Sequence, residues 1–122
     1  MLAAATAGLA GCPALGIGGN NTLGKIVVHN NFEAGKRHVI VNLSVVRVAD
    51  ECSDRRLEGV NLLPEKLVIG ESFTVKDLPE GRYYCIAEYE YDSTECGDGR
   101  CESERNGYVT LAAGGTADWY VQ

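Results

Sequence analysis

The sequence predicts an all-β fold, an antiparallel β-sandwich of about seven strands. Three observations support it: helix signals are almost absent, short β-rich runs recur, and Gly, Asn, Asp or Pro residues bound these runs. The 122 residues suit one domain, because domains cluster at about 100–150 residues. We divide the chain into a leader and tether, residues 1–24, and a single sandwich domain, residues 25–122.

The first two strands are expected at Lys25–Asn30 and His38–Val48, joined by a hairpin loop. Strand alternation places Ile26 and Val28 on the inner face of the first strand. The corresponding inner residues of the second strand are Val39, Val41, Leu43 and Val45.

The later strands follow at turn signals. Val60–Leu63 and Lys66–Ile69 are interpreted as one strand that Pro64 interrupts. The strands after it are Ser72–Leu78, Arg82–Tyr91, Tyr108–Leu111 and Thr116–Val121. In the longest of them, one face carries Tyr83, Cys85, Ala87, Tyr89 and Tyr91.

One stretch, Gly70–Tyr83, resembles the G-x-[FS]-x-[FV]-x-x-L-P-x-G-x-Y signature of prealbumin-like and Cna-B-like β-sandwich modules, including carboxypeptidase regulatory-like domains. The resemblance implies a structural corner. Leu78 closes one end of the sandwich, Gly81 allows a tight turn, and Tyr83 covers the corner with its hydroxyl on the backbone. Tyr83 and the residues after it are also similar to the tyrosine corner of immunoglobulin domains, so both sandwich subtypes stay open. The signature contains no catalytic residue and implies no activity.

The first twelve residues are interpreted as an export signal. The apolar run before Lys25 is too short to cross a bilayer, which needs about 20 apolar residues, and it fits the end of a signal peptide. Leu9-Ala10-Gly11-Cys12 resembles a bacterial lipobox, although no Lys or Arg precedes the run. The resemblance implies a lipid on Cys12, and Pro13 after it implies sorting to the outer membrane. We therefore expect a lipid-anchored protein of the cell envelope, in the outer membrane or periplasm.

The cysteine count agrees with export. The five cysteines are an odd number, and a lipid on Cys12 leaves four, which allow three pairings. We favour Cys96–Cys101, because the glycines between them indicate a tight turn that brings Cα atoms within about 7 Å. Cys52–Cys85 then follows by elimination. A zinc site is the alternative, although a Cys-x4-Cys spacing is looser than usual.

Composition argues against two classes of function. The net charge of −6 and the absence of a basic stripe argue against nucleic-acid binding. The only histidines, His29 and His38, lie on either side of the first loop, where they can face each other across a hairpin. No Ser-His-Asp or Cys-His arrangement is evident, and we expect that the chain is not an enzyme.

Carboxylates crowd the hairpin at residues 88–104. Calcium prefers several oxygen ligands, which makes Asp92, Glu95, Asp98 and Glu102 candidate ligands. The same acidic surface suits a basic partner. The leading expectation is a non-catalytic interaction, structural or adhesive module with a protein partner. The alternatives are a cation or small-ligand binder, and an inhibitor or accessory subunit of an exported enzyme. Edge strands also offer a route to self-association.

Overall fold

A computed structural model describes residues 22–48 and 61–122. Cys12 with its leader, and Cys52, lie outside the described residues. Within the described ranges the chain forms seven strands: β1 (Gly24–Asn30), β2 (Val39–Val48), β3 (Leu67–Val68), β4 (Ser72–Leu78), β5 (Gly81–Asp92), β6 (Arg100–Leu111) and β7 (Thr116–Val121). This part of the chain holds no helix long and apolar enough to cross a membrane.

The strands form two sheets, one with the order β4–β1–β7 and the other with the order β3–β2–β5–β6. The predicted all-β sandwich is thus confirmed. Every pairing is antiparallel except β1 with β7, which is parallel. The exception arises because the turn after β6 carries the chain from the second sheet to the first, where β7 runs along β1 in the same direction.

The core lies between the sheets. Ile26 and Val28 of β1 are fully buried, as the alternation predicts. The predicted inner face of β5 is also confirmed, because its alternate residues through Tyr89 are buried and Tyr91 packs against the same cluster. Burial of one such side chain contributes about 1.5–3 kcal/mol, so these alternate positions fix which face of each strand turns inward.

A β-bulge changes the inner face of β2. Pairing with β5 shifts by one residue between Ile40 and Asn42, which makes Val41 the extra residue. Ile40 is therefore fully buried, and the prediction that Val39 and Val41 face inward is wrong. Beyond the bulge the predicted alternation returns: Leu43 is fully buried and Val45 packs against the core.

Two connections differ from expectation. β1 and β2 do not form a hairpin, because they belong to different sheets, and His29 and His38 do not face each other. β6 begins at Arg100 rather than at Tyr108. Its added residues are mostly polar and exposed, because β6 is an end strand of its sheet, and they give no apolar alternation.

The corner at the start of β5 has the contacts expected from the Gly70–Tyr83 signature. The Tyr83 hydroxyl donates a hydrogen bond of 2.6 Å to the Pro79 carbonyl, and Leu78 packs against the core. Gly81 has a φ of 149°, in the region that favours glycine. The corner is reinforced from β2, where the Arg47 guanidinium donates to the Glu80 carbonyl at 2.6 and 3.0 Å.

The cysteines follow the predicted pairing only in part. Cys96 and Cys101 form a disulfide with Cα atoms 5.5 Å apart, which confirms the local pairing. Cys85 is a free thiol, so the expected Cys52–Cys85 bridge is not formed. Cys85 points into the core between Val45 and Gly107 of the neighbouring strands and is fully buried. This burial raises the pKa of its thiol to about 12.

Candidate functional site

The outer face of the four-stranded sheet carries a charged and aromatic surface on β5 and β6. Because Tyr83, Cys85, Ala87 and Tyr89 point inward, the even-numbered residues of β5 point outward with their β6 partners. We call this surface the tyrosine–glutamate face, and its residues are Arg82, Tyr84, Tyr108, Glu88, Glu90, Glu102 and Glu104.

One end of the tyrosine–glutamate face is aromatic. Tyr84 lies opposite Tyr108 in the register of β5 and β6, with ring centroids 4.9 Å apart. The Arg82 guanidinium lies 4.1 Å from the centre of the Tyr108 ring, a cation–π contact. This cross-strand cluster stabilises the sheet, yet Tyr108 remains 55% exposed. Tyrosine and arginine are enriched where proteins bind one another, so the ring offers an anchor.

The other end of the tyrosine–glutamate face is acidic. Glu88 is directly opposite Glu104, and Glu90 is directly opposite Glu102. Like charges in such positions destabilise a sheet, although Glu90 has a contact of 3.7 Å with the Arg100 guanidinium. A hollow of about 520 Å³ lies here, lined by Val41, Glu88, Tyr89, Glu102, Ser103 and Glu104. A cationic group placed between the carboxylates would relieve their repulsion.

The expected calcium ligands do not come together. Among the described residues, no group of three or more His, Cys, Asp and Glu side chains is placed to hold a metal ion. Asp92 is occupied by two arginines: Arg37 makes two contacts of 2.7 Å, and Arg100 makes one of 2.9 Å. These partners, Arg37 first, lower the pKa of Asp92 to about 2. Asp98 accepts from the Arg100 backbone N–H at 3.0 Å, and Glu102 faces Glu90. The predicted set Asp92, Glu95, Asp98 and Glu102 is therefore wrong as a calcium site.

The tip of the β5–β6 hairpin is closed by short-range contacts. The Cys96–Cys101 disulfide spans it, Gly99 N–H donates to the Cys96 carbonyl at 2.9 Å, and Ser93 N–H donates to the Gly99 carbonyl at 3.0 Å. Gly99 has a φ of 81°, which favours glycine. The result is a preorganised acidic loop at one end of the domain.

His38 belongs to an aromatic cluster at the same end. Its ring stacks on Phe32 at 4.1 Å and on Tyr91 at 5.4 Å, and its Nδ1 is buried with no partner among the described residues. Burial, and then the nearby Arg105, lower the pKa of His38. Both effects favour the neutral imidazole, which packs between the Phe32 and Tyr91 rings.

The outer face of the other sheet brings together three residues that the sequence did not connect. Ser72 Oγ lies 2.8 Å from His29 Nδ1, and Asp118 Oδ1 lies 2.8 Å from His29 Nε2. They come from β4, β1 and β7, which are neighbours in the sheet. The only sequence signal was an outward position on three predicted strands, and it gave no indication that these strands are neighbours.

The structure therefore defines a two-sheet β-sandwich domain with a different polar surface on each sheet. Comparisons with protein-family models, with curated proteins and with solved structures find no significant match to this chain.

Proposed function

We propose that this chain is an exported lipoprotein, anchored in the bacterial outer membrane by a lipid on Cys12, whose domain is an interaction module. The observation that supports the binding role is the tyrosine–glutamate face, where the exposed Tyr108 ring and two directly opposed glutamate pairs lie on the same side of β5 and β6, with the Ile86–Asn106 pair between them. Support for export comes from the lipobox-like segment and from the Cys96–Cys101 disulfide, a bond that persists in oxidising compartments. We also propose that the domain is related to prealbumin-like or Cna-B-like modules, on the basis of the Gly70–Tyr83 segment.

The partner that fits this face is a basic protein surface. Each opposed glutamate pair disfavours the sheet by an amount on the order of 0.2–1 kcal/mol, and this repulsion is relieved when a Lys or Arg lies between the carboxylates. Tyr108 supplies the aromatic anchor that dominates many interfaces. The four carboxylates also speed association with a positively charged partner.

This arrangement implies that binding and stability oppose each other at the same residues. We expect Glu104→Gln to raise the unfolding free energy of the isolated domain by about 0.2–1 kcal/mol and to weaken partner binding. The measurements are denaturant unfolding and binding titration. Glu33→Gln, a change at an exposed glutamate in the first loop, is the control and should alter neither. A destabilised Glu104→Gln variant would show that the carboxylate makes a favourable contact.

The binding face is tested by photo-crosslinking in native membranes. A photoreactive amino acid replaces Tyr108 in one variant and Tyr120 in another, a matched pair because the two rings are 55% and 52% exposed on opposite sheets. We expect one crosslinked partner from position 108, lost when Glu88, Glu90, Glu102 and Glu104 all become Gln. Equal crosslinking from both positions would show that the tyrosine–glutamate face is not the binding surface. A crosslinked product of twice the chain mass would indicate self-association.

The anchor is tested separately by the intact mass of the protein from the membrane fraction. We expect a mass that begins at Cys12 and includes acyl chains. A chain that begins at Met1 with no added mass would reject the lipoprotein proposal and leave the binding face untouched.

The closed hairpin tip supports a second candidate, an inhibitor or accessory subunit of an exported enzyme. A preorganised loop loses little conformational entropy on binding, and the disulfide with its backbone hydrogen bonds provides this property. A photoreactive group at Thr94, in the tip, distinguishes the two: crosslinks from Thr94 rather than from Tyr108 would favour the inhibitor.

A further inference from the structure

The contacts of His29 fix the positions of its protons. Asp118 can only accept a hydrogen bond when it is ionised, so His29 Nε2 must carry the hydrogen shared over 2.8 Å. In the neutral ring Nδ1 is then an acceptor, and it receives the Ser72 hydroxyl hydrogen across 2.8 Å. The three side chains therefore form a relay from serine to histidine to aspartate.

Strand pairing and stacking hold this relay in place. Asn30 N–H donates to the Glu71 carbonyl at 3.0 Å, so the next pair, His29 with Ser72, is one in which the backbones do not bond and the side chains approach more closely. On the other side Tyr120 lies opposite His29 and stacks on it, with centroids 4.4 Å apart and planes 11° apart. The ring is thus oriented from both neighbouring strands.

We propose that Ser72 is a nucleophile for acyl transfer from small activated esters, with His29 as its general base and Asp118 as the group that orients the base. A serine hydrogen-bonded to a histidine, which in turn bonds a carboxylate, is the arrangement that activates a hydroxyl. This goes beyond the interaction role and departs from the sequence-based expectation that the chain is not an enzyme.

In the first step the Ser72 hydroxyl proton moves to His29 Nδ1 while Oγ bonds to the carbonyl carbon of the ester. The tetrahedral intermediate collapses, the ester C–O bond breaks, and the leaving oxygen takes the proton from Nδ1. Water then attacks the acyl-serine with the same base, which releases the acid and restores Ser72. Because the His29–Ser72 pair is not bonded through its backbone, the Ser72 N–H points away from β1 at an end strand, where it can donate to the oxyanion.

The open surface sets the substrate class. Val27 and Thr74 lie opposite each other next to the relay and offer only a small, half-buried platform. The substrates that fit are therefore short acyl groups on good leaving groups, such as aryl acetates, and not long chains that need an enclosed pocket.

The test uses the whole protein with p-nitrophenyl acetate and, separately, with a fluorophosphonate, followed by peptide mass mapping. The matched control is Ser103, an exposed strand serine on β6 in the other sheet. We expect covalent modification of Ser72 to exceed that of Ser103 by about 10²-fold or more, the usual contribution of a positioned base. Ser72→Ala removes ester hydrolysis and the adduct, and Thr116→Ala, which removes an exposed strand hydroxyl outside both sites, changes neither.

The variant Asp118→Asn tests whether Ser72 reacts because of the relay or only because it is exposed to solvent. Because Asp118 is exposed, we expect this substitution to preserve the fold, which a thermal melt checks. The amide can donate as well as accept a hydrogen bond, so it no longer fixes the hydrogen on His29 Nε2. We expect it to slow Ser72 modification by about tenfold or more. Equal modification of Ser72 and Ser103, adducts only on other residues, or an unchanged rate in Asp118→Asn would overturn the proposal.

Discussion

Tyr83→Phe removes one hydroxyl from a side chain that is 2% exposed and breaks its 2.6 Å hydrogen bond to the Pro79 carbonyl. A net hydrogen bond contributes about 1 kcal/mol, and an acceptor left without a donor adds to the loss. Because Pro79 is only partly buried, water can reach its carbonyl, and we expect the unfolding free energy to fall by about 1–2 kcal/mol. A domain of this size then melts about 4–12 °C lower.

The same variant makes a pH-dependent prediction. Burial raises the pKa of Tyr83 to about 12, although Arg47 acts in the opposite direction, whereas an unfolded tyrosine titrates near pH 10. The neutral phenol therefore contributes stability that is complete below about pH 10 and is lost as the pH rises through about 12. Phenylalanine has no such titration, so the advantage of the natural chain over Tyr83→Phe should shrink by an amount on the order of 1–3 kcal/mol by pH 12.

Urea unfolding of both chains at pH 7 and at pH 11 measures both effects. Tyr108→Phe is the control, because this ring is 55% exposed and loss of its hydroxyl should leave the midpoint nearly unchanged. Equal midpoints for Tyr83→Phe and the natural chain at pH 7, or a difference that does not change with pH, would refute the reasoning about the corner.

Three further predictions concern the β5–β6 hairpin and the core. Replacing Cys96 and Cys101 by Ser should lower the unfolding free energy by about 2 kcal/mol, the chain-entropy value for so short a loop. The variant should unfold at the same denaturant concentration as the natural chain after reduction, which shows that loss of the disulfide alone causes the change. Asp92→Asn should lower the melting temperature at neutral pH. The difference in melting temperature should vanish as the pH falls from about 4 through about 2. The pKa of Asp92 is lowered in the folded protein, so its carboxylate stabilises the fold fully above the pKa of the unfolded chain and not at all below the pKa of the folded chain. A difference that stays constant across this pH range would contradict the prediction. Cys85 should resist a thiol reagent in the folded protein and react in denaturant, because its pKa is raised to about 12 by burial; equal rates in both states would contradict the burial.

Local patterns predicted the strands well where one face is apolar and the other polar. Thr116–Val121 and Ser72–Leu78 have the predicted bounds, and the inner face of β5 follows its alternation. The bulge in β2 could not be predicted in this way, because Val39, Ile40 and Val41 are all apolar and alternation does not distinguish them. The register shift follows from pairing with β5, which is distant in sequence.

In the candidate sites, too, the sequence indicates features formed by neighbouring residues but not contacts between residues that are distant in the chain. The concentration of carboxylates at residues 88–104 was visible in the sequence, but whether two of them face each other depends on the register of β5 and β6. The carboxylate cluster predicts Asp92 as a metal ligand, but its principal partner is Arg37, which is 55 residues away in the sequence. Ser72 and Asp118 are likewise distant from His29 in the chain, and only the order β4–β1–β7 brings them together.

The β5–β6 hairpin places opposing contributions to stability next to each other. Its two opposed glutamate pairs disfavour the sheet by about 0.4–2 kcal/mol together. Beyond them, towards the tip, the Cys96–Cys101 disulfide contributes about 2 kcal/mol, and Arg100 connects Asp92 and Glu90. Because the two contributions are of similar size, the closed tip can offset the repulsion and keep β6 paired with β5 through the acidic segment. The glutamate pairs can then remain on an ordered strand, in the geometry that a basic partner requires.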